Sequence, residues 1–198
     1  MTTIAFPAGV VPDTFALRLA ATQRAHASPF GGSEQVVDLL NDRWMISMTL
    51  PKRTRAQAAA IEAFINAMRG MTNTVNLYHY GRKTPRGTMA GTLSIFAASV
   101  QGLNEIYIQG AAVGATLLAG DMISVNGMLL QVATNCTADG GGNATVPLVN
   151  RLRVATSISQ PVTWDRPTAP FRLISSPAVM HVPGYAESVS LDFAEVIS

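Results

Sequence analysis

TRAQAAAIEAFINAMRGM, Thr54 to Met71, is the one stretch of this chain whose apolar residues keep helical spacing over several turns. Ala58, Ile61, Ile65 and Met68 recur at i, i+3, i+7 and i+10, with Phe64 beside them, which predicts one apolar stripe on an amphipathic helix. Thr54 followed by Gln57 predicts a capping box, in which the hydroxyl and the amide side chain each satisfy a free amide of the first turn. Arg69 suits the carbonyl end of the last turn, and Gly70 suits the left-handed residue that follows it. The polar face carries few cations and no Trp, so the stripe reads as a core face rather than a membrane-surface face.

Outward from this helix the spacing becomes that of strands. Before it, Trp44, Ile46, Met48 and Leu50 alternate strictly, and Phe15, Leu17 and Leu19 do the same. A short strand near Val36 to Leu40 is expected to end in a turn at Asn41-Asp42, and Ser28 to Gly32 reads as another turn. After the helix, Val75 to Tyr80 and Thr88 to Val100 read as extended, separated by the exposed basic loop GRKTPRG, Gly81 to Gly87. From Gln101 to Trp164 the strands are short and closely spaced, with no helix signal. Asn126-Gly127 between two apolar runs is a hairpin signal, and Asp139 to Asn143 is a turn. Longer strands return from Phe171 and end in SVSLDFAEV, where Val189, Leu191 and Phe193 alternate with polar partners. The expected fold is mainly β, a sandwich or barrel with one helix. Residues 1–100 and 165–198 form one sheet system, interrupted by a small barrel-like insertion at 101–164 that hangs from it.

Composition narrows the function. The 198 residues are 48% hydrophobic and only 13% charged, a low-charge surface that suits burial against other subunits better than life as a lone monomer. Eight basic residues and one acid, Glu62, lie between Arg43 and Arg86, yet no basic run is interleaved with aromatics, which argues against specific nucleic-acid recognition. The uncharged stretch Gly87 to Asn104 is studded with polar residues and is not expected to span a membrane. The lone Cys136 excludes a disulfide framework within the chain. His26, His79 and His181 have no metal-ligand spacing, no nucleophile elbow is present, and Gly140 to Gly142 precedes no helix that could hold phosphate. Asp121 and Asp139 are better explained as turn residues than as a glycosidase pair. The expectation is a chain with no enzymatic activity, no cofactor, no metal and no catalytic residues.

Four segments carry a resemblance. They are DRWMISMTLPKRTRAQAAAIEAFINAMRGMTNTVNLYHYG (Asp42–Gly81), LLAGDMISVNGMLLQVATNCTADGGGNATV (Leu117–Val146), APFRLISSP (Ala169–Pro177) and VSLDFAEV (Val189–Val196). In order and texture they resemble the distal tail proteins of long-tailed, siphovirus-type bacteriophages. That resemblance implies a tail-tube-like belt domain of β-sheet plus one helix. It implies a homo-oligomeric ring, six-fold by family, joining the tail tube to the tip or baseplate hub of the virion tail. The implied partners are the tail tube protein, the tip hub protein and the tape measure protein, with DNA only as passing cargo and no membrane. Ile61, Phe64, Ile65 and Met68 would then face the sheet, and Arg55, Glu62 and Arg69 would face out. Another tail-tube or tail-completion ring protein is the neighbouring alternative, and a carbohydrate-binding β module a further one. In the basic loop Arg82, Lys83 and Arg86 are candidate interface or lumen contacts; their plainer reading is solvated charge.

Overall fold

The computed structural model describes residues 1–27, 31–175 and 177–197, so Ser28, Pro29 and Phe30 of the expected turn lie outside the described residues. In chain order the elements are β1 (Thr14–Ala27), β2 (Glu34–Leu50), α1 (Arg55–Met68), β3 (Val75–Leu77), β4 (Gly91–Ala97), β5 (Glu105–Ala111), β6 (Thr116–Leu117), β7 (Met122–Val125), β8 (Met128–Gln131), β9 (Cys136–Thr137), β10 (Ala144–Pro147), β11 (Pro161–Thr163), β12 (Ala169–Leu173), β13 (His181–Val182), β14 (Tyr185–Ala186) and β15 (Val189–Glu195). The fold is mainly β with one helix, as expected from the sequence. Among the described residues no helix is long and apolar enough to cross a membrane.

Both ends of the chain build one five-stranded sheet, in the order β1-β2-β15-β12-β3. The last strand sits at its centre, pairing Leu50 with Val189, Met48 with Leu191 and Ile46 with Phe193. These residues point to one face, and α1 covers that face with Ala58, Ile61, Phe64, Ile65 and Met68, all buried. The predicted stripe is therefore the packed one, and each large apolar side chain on it contributes about 1.5–3 kcal/mol by leaving water. Arg55, Glu62 and Arg69 are exposed.

The helix ends differ from expectation. Thr54 has the extended backbone of an N-cap, but its hydroxyl caps no backbone amide and instead lies 3.4 Å from Gln57 Oε1. The capping box does not form, because the Gln57 side chain meets the hydroxyl rather than reaching back to the Thr54 amide. At the other end the left-handed residue is Arg69 itself, at φ 50°, with its amide on Asn66 O, and Gly70 follows at φ 63°. The helix thus stops one residue before the position its glycine suggests.

β2 also departs from the sequence reading. Asn41-Asp42 is not a turn but part of one 17-residue strand. The pairing with β1 shifts between Ala20 and Thr22, which face Arg43 and Leu39, so three residues of β2 pass opposite the single Ala21. Asp42 Oδ1 accepts the Thr22 amide there. Long-range pairing absorbs the turn residues as a bulge, a feature local composition does not encode.

A second sheet has the order β10-β5-β4-β11-β7-β8, and the bridge Val132–Leu148 brings its two ends together into a curled half-barrel. Its core includes Leu93, Ile95, Ile106, Ile108, Leu130 and Val146. β4 belongs to this sheet, so the boundary expected at Gln101 falls inside it: the segment around the second core begins before Gly91. The reason is topological. β4 reads as a strand in either place, and only its partners β5 and β11 assign it. Asn126 and Gly127, both at positive φ, close the two-residue hairpin of β7 and β8 as read from sequence.

That hairpin is the shared wall of the molecule. Ile123, Val125, Met128 and Leu130 face the second core, whereas Met122 and Leu129 face the first. The inserted segment is therefore packed into the main core rather than hung from it.

Candidate functional site

The structure places the basic loop against the turn before β7. Arg82 Nη1 donates to Gly120 O at 2.8 Å, and Arg86 Nη2 donates to Ala119 O. The buried Asp121 carboxylate organises both segments: it accepts the amides of Arg86 (2.9 Å), Gly87 (3.3 Å) and Leu118 (2.8 Å), with Arg86 Nε 3.7 Å away. Lys83 gives its carbonyl to the Arg166 amide, and its side chain is exposed. Two of the three candidate residues are therefore tied within the chain, while all three remain open to solvent on one side.

A larger feature escapes local sequence reading. β1 is an edge strand of 14 residues, and among the described residues no strand pairs with its outer edge. The opposite edge is β3, only three residues long and extended by the Thr3–Thr74 bridge. An unprotected edge strand is a template for another chain. The distal half of the β1–β2 hairpin stands out from the body as an arm. Six register pairs, Thr22–Leu39 to Ala27–Glu34, give a reach of about 20 Å. Val36 and Val37 are exposed on it. Its base is fixed by an ion pair between Asp38 and Arg151 at 2.7 Å.

Where the arm meets the body, a buried polar junction joins the two cores. Glu195 at the end of β15 is fully enclosed. Its Oε2 accepts the Trp44 amide (3.1 Å) and Arg153 Nη1 (2.8 Å); its Oε1 accepts the Leu129 amide (3.1 Å) and Arg153 Nη2 (2.6 Å). Arg153 Nη1 also donates to Asp42 O, and the Trp44 indole donates to Leu129 O at 2.7 Å. Sequence reading missed this pair although a signal existed: Glu195 continues the inward register of Val189, Leu191 and Phe193, so its carboxylate must find partners in the core.

The remaining chemical groups are separate. The His79 ring lies tilted against Phe15, with centroids 5.0 Å apart, and accepts the Gly81 amide on Nδ1; burial, then Arg82, hold its pKa below the ordinary value. Tyr80, in the same aromatic cluster, is pushed up to about 12 by burial. Cys136 is half-buried against the second core, and burial pushes its thiol up, away from the reactive thiolate. Among the described residues no group of three or more His, Cys, Asp or Glu is placed to hold a metal ion. On the outer wall of the second sheet, Phe96 and Tyr107 share a shallow depression of about 240 Å³ with Asp139, Asn143 and Thr145. The chain matches no protein-family model and no curated protein sequence.

Proposed function

We propose that this chain is a structural subunit of the tail tip of a long-tailed bacteriophage, of the distal tail protein kind. Copies form a ring, six-fold by the resemblance, that joins the tail tube to the tip or baseplate hub of the virion. The observation that carries this reading is the long edge of β1, which no strand among the described residues pairs, with its protruding arm: a ring of identical copies pairs such an edge at every interface and leaves none open. The low charge of the surface agrees with burial against neighbours. The role is structural and needs no cofactor. The partners are the tail tube, tip hub and tape measure proteins, and DNA passes through the ring.

The test is the mass of the purified protein in solution and negative-stain images of it with tail tube protein. Closed rings that cap tubes at the tip end are expected. A subunit that stays monomeric in assembled particles would end the proposal, and rings that bind the opposite tube end would favour a tail-completion protein. A second reading, a carbohydrate-binding module, draws on Phe96, which is 53% exposed beside Tyr107. Glycan binding by the monomer with no ring formation would favour it.

A further inference from the structure

On the face of the five-stranded sheet turned away from α1, Ala16, Arg18 and Ser47 are exposed, Met45 is half-buried and Ala194 is buried. One cross-strand row on it runs Arg18 (β1), Met45 (β2), Ala194 (β15) and Arg172 (β12), so two arginines flank an apolar floor three strand spacings, or about 14 Å, across. Arg43 stands one row further, opposite Ala20. In the row on the other side, Asp192 is the acid nearest this floor, and it already accepts the Ser47 hydroxyl at 2.7 Å. Among the described residues neither Arg18 nor Arg43 makes an ion pair. Arg172 has one Nη on the weak acceptor Met1 Sδ and a buried Nε with no acceptor. Ile174, 41% exposed, closes one side of a groove of about 460 Å³ that Arg18, Met45, Ser47 and Asp192 also line.

The mixture decides the partner. A nucleic-acid surface is strongly basic and is read through phosphates and stacked bases, whereas among the described residues this face carries no aromatic side chain and its apolar residues include Met45 and Ile174. Arginine beside a half-buried Met and an exposed Ile is the composition of a protein–protein contact. We propose that this groove docks a segment of another protein that lays an aliphatic side chain on the Met45–Ile174 floor and presents carboxylates to Arg18 and its neighbouring arginines. Such a pair is charge-assisted, and a guanidinium binds a carboxylate through two parallel hydrogen bonds. The proposal goes beyond ring formation and does not require it, because the groove lies within one copy.

The test uses the whole chain carrying methyl-labelled methionine, with the Met45 signal assigned by Met45→Leu. The probes are a capped five-residue peptide alternating Glu and Leu, its counterpart alternating Glu and Ser, and a 20-base-pair DNA duplex. The Glu/Leu peptide should shift the Met45 methyl saturably, and the Glu/Ser peptide should bind roughly tenfold more weakly. Arg18→Gln and Ile174→Ser, both at exposed positions, should each weaken the Glu/Leu peptide by about tenfold while leaving the other methyl signals in place. Equal binding of the two peptides, or tighter binding of DNA, would reduce the groove to a generic anion surface and overturn the proposal. A Met45 shift that grows with protein concentration and no peptide would assign the groove to a second copy and overturn it too. No shift with any probe at millimolar concentration has the same consequence. Sedimentation of the same samples reports ring formation separately.

Discussion

Glu195 occupies the place on β15 that the alternation of Val189, Leu191 and Phe193 reserves for the core, and its carboxylate is tolerated there because four donors converge on it. Glu195→Ala leaves the Arg153 charge buried and two backbone amides unpaired; the expected cost is about 3–5 kcal/mol in urea unfolding. A loss within about 0.5 kcal/mol, the usual range for surface changes, would show that the junction is not needed for stability. Phe64 packs edge-on to Phe6 at 5.2 Å inside the first core, so Phe64→Ala should also cost about 3–5 kcal/mol, and Arg55→Ala on the exposed face about 0.5 kcal/mol or less. Comparable losses at both positions would reassign the helix face. His79 gives a pH signature. Its folded pKa is depressed below the unfolded value of 6.5, so the unfolded chain binds the proton more readily in the window below 6.5. The stability held by neutral His79 is complete above pH 6.5 and is lost as pH falls through the folded pKa. The melting temperature should drop on acidification through that window by less in His79→Gln than in the parent chain.

The elements most exposed to a partner are those whose extension exceeds their local support. The arm is held at its base by Arg151 and Asp38, while its middle carries Val36 and Val37 into solvent. Val36→Lys with Val37→Lys should leave monomer stability within about 0.5 kcal/mol, since both side chains are exposed, and should reduce ring formation, because lysine on a strand opposes pairing with another chain. Rings that form as before would place the subunit contact elsewhere. The basic loop behaves as an element in its own right. Arg82 and Arg86 are anchored to the 119–121 turn, so neutralising them should lower stability by about 0.5–1.5 kcal/mol per hydrogen bond lost, whereas Lys83→Gln should have no thermal effect. An assembly defect from Lys83→Gln alone, with melting unchanged, would support an interface or lumen role for the loop.

At the scale of the whole molecule, the β7–β8 hairpin and the Glu195–Arg153 pair make two hydrophobic cores into neighbours that share a wall. A single unfolding transition is therefore expected in calorimetry. Replacing residues 101–164 with a short Gly/Ser linker removes Leu129 and Met122 from the first core, removes both partners of β4, and leaves Glu195 without Arg153. Loop closure itself is cheap, yet the shortened chain should lose cooperative unfolding because its core is opened. A shortened chain that melts as sharply as the parent would show that the first core is self-sufficient.

The sequence by itself determined the elements whose signal is periodic or stereochemical. The α1 stripe, the alternation of β2 and β15, the positive-φ hairpin at Asn126-Gly127 and the Asp139 turn all follow from side-chain spacing and local backbone preference, and each is found where it was read. The basic loop was also legible as a loop. The tertiary structure alone decided which strands became partners. It made Asn41-Asp42 a bulge instead of a turn, assigned β4 to the second sheet, and left the outer edge of β1 without a partner strand among the described residues. It gathered Arg18, Met45, Ala194 and Arg172 into one row from positions far apart in the chain, and it brought Arg153 to Glu195. Strand pairing depends on contacts between distant residues, and a one-dimensional pattern records which face a residue turns but not which strand lies beside it.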